Sequence, residues 1–70
     1  MNNNERESVR AIVDEQLMFV ISDAYERREV VSTLLPEIIK DVEETADEEF
    51  NDSDVSIALS RVLYKKIVGW

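Results

Sequence analysis

Apolar residues recur along this chain at helical spacing in three stretches. When successive residues are stepped by about 100°, Val9, Ile12, Val13, Leu17, Val20 and Ala24 fall on one face, interrupted only by Gln16. This stripe predicts helix A over about 5–26, with Asn4 as N-cap and Glu7 three residues on in capping-box spacing. Residues 1–4, with three Asn after Met1, are expected to fray. The run Leu17-Met18-Phe19-Val20-Ile21 is apolar throughout, and five consecutive residues of a helix cannot share one face. A second stripe of Ala11, Met18, Ile21 and Tyr25 therefore lies about 140° round from the first. A helix with two apolar faces packs on two things. The second face is covered either by the chain's other helices or by a second copy.

Tyr25-Glu26-Arg27-Arg28-Glu29 contains neither Gly nor Pro, so the end of helix A is weakly signalled and is placed near Arg27. Helix B follows over about 28–49. Its single apolar face is Val31, Leu34, Leu35, Ile38, Val42 and Ala46, with Glu37, Asp41, Glu44, Asp47 and Glu48 mainly opposite. Pro36 falls inside this pattern; it lacks the backbone donor and crowds the carbonyl four residues back. Either the helix kinks there or a new helix starts with Pro36 in its first turn. The stripe keeps phase across Pro36, which favours a kinked, continuous helix.

Phe50-Asn51-Asp52-Ser53-Asp54 is rich in turn-forming and capping residues and predicts the start of helix C, over about 54–68. Val55, Ala58, Leu59, Val62 and Leu63 form its main stripe, while Ile57, Tyr64 and Val68 lie on the other side. Lys65 and Lys66 suit the negative end of the helix dipole. Gly69 is expected in the left-handed C′ conformation, which would let Trp70 fold back on Tyr64. The pattern as a whole describes an all-α, three-helix unit forming one domain over 1–70. Its unpaired stripes, Ala11, Met18, Ile21 and Tyr25 of helix A with Ile57, Tyr64 and Val68 of helix C, point to a homodimeric helical bundle.

Composition sharpens that expectation. Seventy residues bury too little apolar surface to be comfortably stable without a disulfide, a metal or a partner subunit. There is no Cys and no His, which removes disulfides, thiolate metal sites and the commonest general base. Association between copies is the remaining staple. No basic leader precedes an apolar segment, and the longest apolar run is too short to span a bilayer. The expected location is cytoplasmic.

Sixteen Asp and Glu against eight Lys and Arg give a formal net charge of -8, which opposes direct contact with nucleic acid or an anionic membrane. Half of the carboxylates, Asp41, Glu43, Glu44, Asp47, Glu48, Glu49, Asp52 and Asp54, fall within residues 41–54 without a Lys or Arg among them. Three readings compete for this run. It can be a solvated face that keeps a small protein soluble. It can be a docking surface for a basic protein, since carboxylates one helical turn apart, about 5.4 Å, roughly follow the spacing of phosphates along a strand. It can also hold a hard divalent ion through Glu44, Asp47 and Glu48, although the Gly-centred loop of an EF-hand is absent. No resident metal or other cofactor is expected.

Two short stretches resemble known families. Glu7 to Leu17 followed by Asp52-Ser53 resembles the first helix and the Asp-Ser modification site of acyl carrier proteins, with Asp54 where an apolar residue is expected. Asp52 to Leu59 is similar to the start of the last helix of histone folds, with helix A too long for the first helix of that fold. Each covers a minor part of the chain, and no family is assigned on them.

Catalysis is not expected: the serines have no His or evident Lys partner, and carboxylates on an exposed helix lack a pocket to separate acid and base roles. The functional expectation is a small acidic adaptor or regulator that binds a basic protein through the acidic surface, as a mimic of nucleic acid. The alternative is a structural homo-oligomeric subunit whose acidic run only solvates it. A DNA-associated regulator ranks third, because Arg6, Arg10, Arg27, Arg28, Lys40, Arg61, Lys65 and Lys66 are scattered along the sequence instead of marking one basic recognition helix.

Overall fold

The computed structural model describes residues 1–46 and 49–69. They form three helices, α1 (Asn3–Leu17), α2 (Ala24–Thr45) and α3 (Asp52–Val68), so the all-helical, three-element expectation holds. No helix among the described residues is long and apolar enough to cross a membrane.

Each helix is started by a side chain that takes up the orphan backbone N–H groups of its first turn. Asn2 and Glu5 form a capping box on α1, with the Asn2 side chain accepting from the Glu5 N–H at 2.8 Å. Asn51 and Asp54 do the same on α3 at 3.0 Å. The Asp23 carboxylate caps α2, accepting from the N–H of Tyr25 at 2.9 Å. The cap of α1 therefore lies two residues earlier than the Asn4–Glu7 spacing implied. Residues 3 and 4 are helical rather than frayed, and Met1 packs against the core.

The larger departure is at the end of α1. It stops at Leu17, not near Arg27, and residues 18–20 form a turn on Leu17, whose carbonyl accepts from Val20 at 3.0 Å and Ile21 at 2.8 Å. Val20 is consequently 79% exposed and Ala24 is an exposed first-turn residue of α2. Neither belongs to the core face. Three of the residues here, Phe19, Val20 and Ile21, are aromatic or β-branched and lose side-chain freedom in a helix. Asp23 meanwhile offers the next helix a cap.

α2 runs unbroken through Pro36. Pro36 and Ser32 are both exposed, so the Ser32 carbonyl, deprived of its donor by the proline ring, loses its bond on the solvent side. At the far end, Gly69 caps α3 with φ -72°, ψ 3°, and its N–H donates to the Lys65 carbonyl at 2.8 Å. It is not in the left-handed region. What requires glycine is proximity: a Cβ there would sit 2.7 Å from the Lys65 oxygen. Trp70, and with it the contact expected with Tyr64, lies outside the described residues.

The core joins one face of each helix: Val9, Val13 and Leu17 of α1; Val31, Leu34, Leu35, Ile38, Ile39 and Val42 of α2; Val55, Ala58, Leu59 and Val62 of α3. Ile12 and Leu63, also expected inside, pack against its margin. α1 and α2 run antiparallel, since Asp14 meets Arg27 and Met1 meets Glu43. α3 is tied to α2 by Asp41 against Arg61 and Glu37 against Lys66. Gln16 of α1 donates to the Ser56 hydroxyl of α3, so the one polar interruption of the first stripe bridges two helices.

Candidate functional site

Three surfaces carry the residues that the sequence singles out. The first is the outer face of α3. Ile57, Tyr64 and Val68 are 51%, 66% and 60% exposed, as expected for residues off the core stripe. Ile67 joins them at 74%. Ile57, Ser60, Tyr64 and Ile67 follow the alternating three- and four-residue steps of a heptad seam. A shallow surface lined by Ser56, Ile57, Ser60, Arg61, Tyr64 and Lys65 runs along it. The charges on α3 are polarised, with Asp52 and Asp54 in the first turn and Lys65 and Lys66 in the last.

The second surface is the α1–α2 connection. Arg27, 9% exposed, donates from Nε to Asp14 at 2.8 Å and from Nη1 to the carbonyl of Ile21 at 2.9 Å. The Ser22 carbonyl accepts from the same nitrogen at 3.4 Å. A residue assigned from sequence to the helix break thus clasps a break that lies several residues earlier. The clasp leaves Phe19 as the most exposed large apolar side chain among the described residues, at 90%, with Met18 at 48%. Of the second stripe of helix A, Ala11 and Tyr25 line a groove between α1 and α2, Met18 is in the turn and Ile21 is half-buried. The structure does not bring these four together with Ile57, Tyr64 and Val68 into one patch.

The third is the acidic run. Asp41, far from being unbalanced, accepts two hydrogen bonds from Arg61 at 2.7 and 3.1 Å, and Glu43 accepts from the amino group of Met1 at 3.1 Å. Asp54 is committed to its capping box. Glu44, Glu49 and Asp52 are exposed; Asp47 and Glu48 lie outside the described residues. Cations absent from the linear stretch are thus supplied from elsewhere in the fold, by Arg61 of α3 and by the amino group of Met1. Among the described residues no three Asp or Glu side chains converge on a point that would hold a metal ion.

Sequence reasoning missed Ile67, whose heptad spacing from Tyr64 was available as a signal, and Phe19, which the assumption of a continuous helix A concealed. No family model matches the chain, and no curated protein or solved structure matches it.

Proposed function

We propose that this chain is a non-catalytic assembly module that pairs with a second copy of itself through the outer face of α3. The observation that carries this reading is the heptad seam Ile57, Ser60, Tyr64 and Ile67, exposed on a helix whose opposite face is already in the core. A helix that is apolar on two sides has a second packing partner. A chain of this size without a disulfide gains the most from one.

The twofold arrangement follows from the spacing. Antiparallel pairing centred between Ser60 and Arg61 sets Ile57 of one copy against Tyr64 of the other, with the small Ser60 letting the helices approach. It also lays the Asp52 and Asp54 end of one helix beside the Lys65 and Lys66 end of its mate, so charges and helix dipoles both complement each other. Arg61 does not obstruct the seam, because Asp41 holds its guanidinium toward α2.

The acidic surface is a weaker basis for function. Two of its carboxylates are neutralised within the fold, and what remains for a basic partner is Glu44, Glu49 and Asp52 with the neighbouring Asp47 and Glu48 of the sequence. An adaptor role through that surface is the second reading, and it requires an affinity that falls steeply with salt.

The chain has no native cysteine, which makes a direct test simple. Ser60→Cys is expected to form a disulfide-linked dimer rapidly under mild oxidation, since the two Cβ atoms meet beside the twofold. The control is Thr33→Cys on the exposed side of α2, expected to stay monomeric on the same timescale. Equal cross-linking of the two variants contradicts pairing through α3.

A further inference from the structure

The eight Lys and Arg residues, dispersed in sequence, are sorted by the fold. Arg27, Arg61 and Lys66 are bound to carboxylates of neighbouring helices, and Lys65 sits in the last turn of α3. The other four, Arg6, Arg10, Arg28 and Lys40, line the groove between α1 and α2. Arg10 belongs to both of its adjoining halves, of about 580 and 330 Å³. Its one ion pair, with Glu7 at 3.7 Å, is long and exposed. Arg6, Arg28 and Lys40 make no ion pair among the described residues.

Beneath these cations the groove has an apolar floor. Leu35 and Ile39 of α2 line it from the core, and Ala11 of α1 and Tyr25 of α2, both exposed, line its other half. We propose that this groove takes an acidic amphipathic helix of a partner protein, laid between α1 and α2. A groove between two antiparallel helices accepts the side-chain ridge of a third. An apolar ridge would meet Ala11 and Tyr25, and carboxylates on both sides of it would meet Arg6 and Arg10 on α1, and Arg28 and Lys40 on α2.

Two observations decide between this occupant and others. Glu7, Asp14 and Glu43 also line the walls, and the chain carries -8 overall, so a continuous polyanion such as nucleic acid is repelled where a helix with a few placed carboxylates is not. A second copy of the chain does not fit either. Along the acidic stretch of α2 the apolar residues Ile38, Ile39 and Val42 are in the core, leaving no free ridge between Glu37, Asp41 and Glu44. This surface is separate from the α3 seam, and binding here is independent of pairing there.

The test uses a labelled synthetic helix of about 14 residues, about 21 Å long, with Leu at heptad positions flanked by Glu, and a control with Gln in place of every Glu. Fluorescence anisotropy is expected to show the Glu peptide binding at least about tenfold more tightly than the Gln peptide, with affinity falling as salt rises. The triple variant Arg6→Gln, Arg28→Gln, Lys40→Gln is expected to weaken it about tenfold or more, at up to about fivefold per exposed pair, with helical circular dichroism and sedimentation unchanged. Absence of binding, equal binding of both peptides, or tighter binding of a short DNA duplex each overturns the proposal. Loss of dimerisation in variants of Ile57 leaves it standing.

Discussion

The two connections of this small bundle are built in opposite ways. Between α2 and α3 the chain passes through residues whose own chemistry starts a helix: Asn51 and Asp54 exchange hydrogen bonds within four residues. Between α1 and α2 it passes through Met18, Phe19, Val20 and Ile21, which have no turn chemistry; Asp23 caps the start of α2, but the end of α1 is held from a distance. There Arg27, on the next helix, reaches back to Asp14 and to the carbonyls of Ile21 and Ser22. A local device survives on its own. A clasp exists only once α1 and α2 have packed.

Substitutions at the two connections should therefore differ in size and in reach. Arg27→Ala is expected to cost about 2 kcal/mol in denaturant unfolding, because it strips hydrogen bonds from two carbonyls and leaves Asp14 without its partner. The cost stays below that of a fully buried pair since the Asp14 side chain is 40% exposed. Amide exchange should accelerate selectively over residues 18–23. Asn51→Ala is expected to cost about 1 kcal/mol, the usual value of an N-cap, with faster exchange confined to the first turn of α3. If Arg27→Ala proves as mild and as local as Asn51→Ala, the distinction between clasp and cap fails. Phe19→Ser should change stability by less than about 0.5 kcal/mol, since the ring is 90% exposed; a larger loss would show that the turn depends on it.

The same contrast explains what could be read from the sequence. Helical periodicity found the three elements, and most of the core, because apolar spacing reports directly which face is buried: Val9, Val13, Leu34, Ile38, Val55 and Leu59 all lie where the stripes put them. α3 was located closely because its start signal is local. The end of α1 was misplaced because the apolar phase continues through Val20 and Ala24, while the spacing of Asp23 and Glu26, which marks the start of α2, went unread. The cationic groove was not legible at all. Its four cations come from two helices, and only the packing of α1 on α2 shows that Arg6 and Arg10 face Arg28 and Lys40. The pairing of Asp41 with Arg61, twenty residues apart, was hidden for the same reason.

Within the candidate site, the sequence singled out seven apolar residues as one interface and the fold divides them. Ile57, Tyr64 and Val68 share an exposed helix face, whereas Ala11 and Tyr25 line the α1–α2 groove and Met18 sits in the turn. That division turns a general expectation of association into a specific one. Equilibrium sedimentation across micromolar concentrations, comparing wild type with Ile57→Glu, Met18→Glu and a Glu44→Gln, Glu49→Gln double variant, measures it directly. Pairing through α3 predicts a dimer that only Ile57→Glu converts to monomer. A wild type that is monomeric at high micromolar concentration, or a dimer lost equally in Met18→Glu, contradicts it.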